Sequence, residues 1–127
     1  MKKILVASTL VAGLFASVGA FAADTVICAG GAAGPGVVPA SGTAGTHFML
    51  TPIAPKCSAN TNVAGTDGTS GAWYAVGSNS VKGKNSFGGN TNGGSVAITA
   101  ACAVPGGCTA AESVTARGVA NTAAATS

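Results

Sequence analysis

The chain has 127 residues, only 7% of them charged, and a formal net charge of +3. Two of its six basic residues are Lys2 and Lys3, and residues 23–127 are nearly neutral, with four basic and three acidic side chains. This balance excludes the basic face that a nucleic-acid-binding protein uses to neutralise phosphates.

The first 22 residues have the organisation of a secretory signal peptide. Two lysines precede an apolar run that extends to about Gly19, and Ala20-Phe21-Ala22 matches the A-x-A cleavage pattern. We expect cleavage after Ala22 and export to the periplasm, the extracellular space or the cell surface. The sequence has no second long apolar run, so we expect no membrane span after cleavage.

Short apolar runs between turn residues predict a single β-rich domain over residues 23–117, followed by a flexible tail over 118–127. The predicted strands are 25–28, 46–53, 72–76 with a continuation near 80–82, 95–102 and 112–117. Residues 57–71 and 83–94 are rich in polar and turn-forming residues and are predicted to be loops. Thr109 and Glu112 match a capping box, which would begin a short helix.

This pattern predicts an all-β fold, either a small disulfide-stapled sandwich or an irregular barrel of about five to eight short strands. Val, Ile, Leu and Phe supply only 16 of residues 23–127, which makes a thin core. A chain of this size with such a core needs help from disulfides or from association. The predicted core consists of Val26, Phe48, Leu50, Trp73, Val76, Val96, Ile98 and Val114.

Cys28, Cys57, Cys102 and Cys108 all follow the predicted cleavage site, where the environment allows disulfides. Of three possible connectivities we favour Cys102–Cys108, across a tight Pro-Gly loop, together with Cys28–Cys57, across a Gly-rich loop. The spacing matches neither the two close pairs typical of a zinc site nor a C-x-x-C redox pair. We therefore expect disulfides and no metal.

Groups that perform catalysis are scarce in this sequence. His47 is the only histidine, and Asp24, Asp67 and Glu112 are scattered singly along the chain. Catalysis requires positioned acids, bases or nucleophiles, so we expect a protein that is not an enzyme and that carries no cofactor.

Two functions fit these features. The first is an exported structural or assembly protein of the bacterial envelope or extracellular space, which associates with itself or with another envelope protein. The composition, dominated by Gly, Ala, Thr, Ser and Asn, resembles that of fimbrial and other surface-fibre subunits. The chain ends Ala124-Ala125-Thr126-Ser127, without the aromatic residue characteristic of usher-assembled pilins, and its apolar segment precedes an A-x-A site, unlike that of type IV pilins.

The alternative is a small secreted or periplasmic module that binds a glycan or a protein. Its contacts would come from loops on a disulfide-stapled scaffold. The residues that could form this binding surface are Trp73, Tyr74, His47 and Asn90.

Overall fold

The computed structural model describes residues 24–127, so the predicted signal peptide, residues 1–22, lies outside the described residues. The described chain forms seven strands, a 3-10 turn at Thr69–Gly71 and one helix, α1, at Ala110–Ala125. The strands are β1 (Thr25–Ala29), β2 (Gly34–Pro35), β3 (Lys56–Cys57), β4 (Thr61–Asp67), β5 (Tyr74–Ser80), β6 (Asn85–Asn90) and β7 (Ala97–Ala101).

Five of these strands form one antiparallel sheet in the order β1-β4-β5-β6-β7, which we call the main sheet. Strands β4 to β7 follow one another along the chain, so consecutive hairpins build most of it. Strands β2 and β3 form a separate two-residue ladder. The predicted predominance of β-structure is confirmed. Among residues 24–127, however, the second layer against the main sheet is α1, and the two packed sheets of a sandwich are not seen.

The position of α1 corrects the prediction of a last strand at 112–117. The Thr109 hydroxyl accepts a hydrogen bond from the Glu112 backbone N–H, and the Glu112 carboxylate accepts one from the Thr109 backbone N–H. This capping box, expected from the sequence, begins a helix that alanines then favour. The helix continues through residues 118–125, which the sequence analysis assigns to the tail.

Small side chains allow α1 to approach the main sheet very closely. The helix buries Ser113, Ala116, Arg117, Ala120 and Ala124, which lie on one face at helical spacing. Opposite them, a Cβ atom added to Gly77 would overlap the Ser113 carbonyl oxygen and the Arg117 backbone nitrogen, and one added to Gly88 would lie 2.8 Å from the Ala116 carbonyl oxygen. Backbone therefore packs on backbone across this interface.

Buried amides and hydroxyls complete the layer between helix and sheet. Asn62 donates from Nδ2 to Asn79 Oδ1 at 2.7 Å. Asn79 in turn donates to Ser86 Oγ and to the Thr109 carbonyl oxygen, both at 3.0 Å. The network links three adjacent strands to the start of the helix, and it satisfies polar groups that would otherwise be costly to bury.

Several predicted strand positions are wrong, for related reasons. Residues 46–53 are irregular, because the loop is held by side-chain contacts and contains Pro52, which cannot donate to a ladder. Residues 57–71 contain β4, and residues 83–94 contain β6. The small and polar residues of these two segments are typical of loops. Here they lie in strands, because only small side chains allow α1 to approach the sheet so closely.

The predicted core is also largely wrong. Val26, Phe48, Leu50, Val96 and Ile98 are exposed, while Trp73, Val76 and Val114 are half-buried. The buried apolar residues are instead Ile27, Cys28, Ala64, Tyr74, Ala75, Cys108, Ala116, Ala120 and Ala124.

Candidate functional site

The two faces of the main sheet differ in what covers them. We call the side opposite α1 the helix-free face. Phe87 lies on it, because its neighbour Gly88 contacts the helix and successive strand residues point to opposite sides. Ile98 pairs directly with Phe87 across β6 and β7 and shares its face. Large apolar side chains of the sheet therefore project away from the helix.

The loop of residues 37–55 covers part of the helix-free face, over β4 and β5. The Phe48 backbone N–H donates to Asp67 Oδ1 at 2.9 Å, and His47 Nδ1 lies 3.1 Å from Asp67 Oδ2. The Phe48 and Tyr74 rings pack at a centroid distance of 6.4 Å. Asp67, one of the three acidic residues scattered singly along the sequence, thus anchors the loop through both carboxylate oxygens.

The rest of the helix-free face, over β6 and β7, has no such cover among the described residues. Val96 is 76% exposed, Ile98 61% and Phe87 39%, and the half-buried Val76 lies beside them. We call these four residues the open patch. A shallow depression of about 260 Å³ lies between Tyr74 and the open patch, and no charged residue lines it. Val76, Val96 and Ile98 are predicted core residues, and Phe87, predicted to lie in a loop, is in β6.

Beneath the 37–55 loop lies a second depression, the apolar cleft, with a volume of about 330 Å³. Its lining residues are Ile27, Cys28, Pro39, Phe48, Met49, Ile53, Pro55, Lys56, Val63, Tyr74, Val76 and Thr91. Tyr74 is 9% exposed, and its burial, together with the nearby Asp67 carboxylate, raises its pKa to about 12. Its hydroxyl therefore stays protonated under ordinary conditions.

The four residues predicted to form a binding surface each make a contact within the fold. Trp73 donates from Nε1 to Asn121 Oδ1 at 2.8 Å, and Asn90 donates from Nδ2 to the Ala120 carbonyl oxygen at 3.1 Å. Both contacts reach α1. Tyr74, in contrast, lies beside Asp67 under the 37–55 loop, and His47 belongs to that loop. The structure therefore divides the four residues between the two sides of the sheet.

Both predicted disulfides are confirmed, with Cα–Cα distances of 5.7 Å for Cys28–Cys57 and 5.1 Å for Cys102–Cys108. The second ties the end of β7 to the residue before the helix cap. Glu112 brings a carboxylate oxygen to within 4.8 Å of both sulfurs of that pair, but the sulfurs are bonded to each other and Glu112 caps the helix. Two disulfides fit an oxidising compartment.

No family model, no curated protein and no solved structure matches this chain. Within residues 24–127, no helix has both the length and the apolar character needed to cross a membrane.

Proposed function

We propose that this chain is an exported, non-enzymatic structural or assembly protein of the bacterial envelope or extracellular space, and that copies of it associate through the open patch. The observation that carries the proposal is the exposure of Phe87, Val96 and Ile98 together on one side of a sheet whose other side is closed by a helix.

Layer packing supports this proposal. A sheet is normally covered on each apolar face by another layer, and contiguous exposed apolar side chains mark interaction surfaces. The open patch lies on the face that lacks such a layer over β6 and β7. A second copy could supply it, since two sheets pack face to face at about 10 Å with their side chains interdigitated.

Charge supports a second copy as the partner. The residues that line the depression at the open patch are uncharged, and residues 23–127 as a whole are nearly neutral. Two identical surfaces of this kind do not repel each other. They also offer no charged group that would select a partner of opposite sign.

Sedimentation velocity of the exported, oxidised protein over a wide concentration range tests the proposal. We expect the wild type to form dimers or larger species as concentration rises. Val96→Ser removes apolar area from the open patch and should weaken this association about tenfold or more. Val119→Ser is the matched control, because Val119 is 50% exposed but lies on α1. It should associate as the wild type does.

Two outcomes would contradict the proposal. One is a wild-type protein that stays monomeric at every concentration and forms no assemblies visible by electron microscopy. The other is association that Val96→Ser and Val119→Ser leave equally intact, because the contact would then lie on another surface.

A further inference from the structure

The two edges of the main sheet differ in what lies along them. At the β1 edge, the Val37 backbone N–H donates to the Ile27 carbonyl oxygen at 2.9 Å, and a disulfide joins Cys28 to Cys57. Another segment of the chain therefore covers part of the outer side of β1. At the opposite edge, β7 is the last strand of the sheet, and within residues 24–127 no strand pairs with its outer side.

The outer side of β7 presents backbone groups that β6 does not use. The Cys102 backbone N–H donates to the Lys84 carbonyl oxygen at 2.8 Å, and the preceding residue, Ala101, is exposed and pairs in register with Asn85. Successive residues of an antiparallel strand direct their backbone groups alternately towards the partner strand and away from it. The N–H and C=O groups of Ala101 therefore point away from β6 and are available to another strand.

Strand β7 lacks most of the features that protect an edge strand from pairing. Such strands usually carry charged residues, prolines or bulges. Residues 85–103 contain no charged residue and no proline. A bulge at Thr99 interrupts the ladder, but Ala100 and Ala101 beyond it keep regular register with β6. The edge is thus an uncharged strand to which a further strand can add.

We propose that β7 pairs antiparallel with the β7 of a second copy, so that two main sheets join edge to edge. This inference rests on the proposed function, because it adds a second contact to the same self-association. A second copy fits the edge because a two-fold axis between identical antiparallel strands satisfies the outward groups of both at once. Neither copy brings a charge to the contact.

The open patch continues to this edge, which also favours a second copy. Val96 directly precedes β7 and Ile98 lies within it, and they are 76% and 61% exposed. Edge pairing therefore joins the open patches of two copies into one wider apolar face. The other side chains of β7 are Ala and Thr, so the edge contact buries less apolar area than the open patch. We expect the edge to be the weaker contact and to link dimers already formed through the open patch.

Ala101→Pro tests the edge contact, because proline removes the outward N–H group and no hydrogen bond to β6. In sedimentation velocity and electron microscopy, the oxidised wild type should form species larger than dimers as concentration rises. Ala101→Pro should stop at dimers, even at a concentration about tenfold higher. Ala101→Ser keeps the N–H group and is the matched control, which should assemble as the wild type does.

Ala100→Lys tests the same contact without altering the backbone. Ala100 is exposed and pairs with Ser86, whose hydroxyl lies in the layer between sheet and helix. Lysine there brings like charges to the edge contact and none to the open patch. The concentration needed for species larger than dimers should rise about fivefold or more. Ala123→Lys, at an exposed residue of α1, is the matched control and should leave that concentration unchanged.

Hydrogen exchange of the Ala101 amide gives a readout at the contact itself. Because this N–H points away from β6, it should exchange freely in the monomer and in the dimer joined through the open patch. In the larger wild-type species the N–H is bonded to the second copy, so its exchange should be slowed about tenfold or more.

Three results would overturn edge pairing and leave the open-patch contact standing. The wild type could stop at dimers, the larger species could survive both Ala101→Pro and Ala100→Lys, or the Ala101 amide could exchange as fast in them as in the monomer. A wild type that stays monomeric at every concentration would overturn edge pairing and the proposed function together. The two failures are therefore distinguishable.

Discussion

The two faces of the main sheet use opposite kinds of side chain. The face under α1 is made of Gly, Ala, Ser, Thr and Asn and is almost completely buried. The helix-free face carries the large apolar residues of the sheet, and over β6 and β7 it leaves them exposed. Apart from Ile27 and Tyr74, the apolar interior of the isolated chain is therefore built from small side chains and cysteines.

The difference shows what each face contributes. Under α1, stability comes from close backbone contact and from hydrogen bonds between buried amides. On the helix-free face, apolar surface that would stabilise the fold if it were buried remains available to a partner or a ligand.

The largest effect is expected for Gly77→Ala, on the helix-covered face. The added methyl group would overlap backbone atoms of Ser113 and Arg117, which cannot rotate away, so the helix must shift. We expect a loss of about 3 kcal/mol or more in the free energy of unfolding, measured by denaturant titration.

Gly118→Ala is the control for this prediction. Gly118 lies in α1 with open space around its missing Cβ atom, so alanine there should stabilise the protein by about 0.5–1 kcal/mol. Equal stability of the two variants would show that α1 does not pack on β5 as closely as described.

A smaller effect is expected for Asn79→Ala, which removes the central member of the buried amide network. Asn62 loses the nearer of its two acceptors, and Ser86 loses a donor. The Thr109 carbonyl oxygen keeps only the longer hydrogen bond, from the Ser113 backbone N–H. The unfolding free energy should fall by about 2 kcal/mol.

Asn85→Ala tests whether that loss arises from the network. Asn85 is half-exposed, and its side chain makes no hydrogen bond within residues 24–127. Its replacement should change stability by less than about 0.5 kcal/mol. A comparable loss of unfolding free energy in both variants would mean that the buried amide network does not account for the effect of Asn79→Ala.

The smallest effect concerns Glu112 and pH. Hydrogen bonds from the Ala103 and Thr109 backbone N–H groups lower the pKa of the Glu112 carboxyl. The charged form is therefore favoured in the folded state. Its contribution is fully present above the ordinary glutamate pKa of about 4.3 and is lost as the pH falls through the lowered folded-state value.

Melting temperatures of the wild type and Glu112→Gln as a function of pH measure this contribution. The wild type should be slightly more stable at neutral pH, and the difference should disappear in acid. A difference that does not vary with pH would contradict the role of the charge.

The sequence was informative where local chemistry alone determines the structure. The loop between Cys102 and Cys108 is short enough to predict a disulfide. Thr109 and Glu112 match the capping box that begins α1, although the sequence favours a strand over 112–117. Alternation over residues 95–102 correctly predicts β7, although a register shift between Ser86 and Phe87 changes the alternation within it.

The sequence was misleading where a distant element determines which residues are buried. Gly77, Gly88 and Asn79 are internal because α1 lies against them, and nothing within β5 or β6 reveals that contact. The alternating pattern predicts Val96 and Ile98 in the core, because a large apolar residue in an alternating strand is usually buried, but both are exposed. The apolar cleft was likewise unforeseen, because it joins residues between 27 and 91 in sequence that meet only after the loop is anchored to Asp67.

The central claim is that the large apolar residues of the helix-free face serve association rather than the stability of the single chain. The melting temperature measured as a function of protein concentration tests it most directly, because association of folded chains makes the transition depend on concentration. We predict that the wild-type melting temperature rises with concentration. Val96→Ser should match the wild type at high dilution and need about tenfold or more higher concentration to show the same rise. A wild-type melting temperature independent of concentration, together with a clearly lower one for Val96→Ser at high dilution, would show instead that the open patch stabilises the monomer.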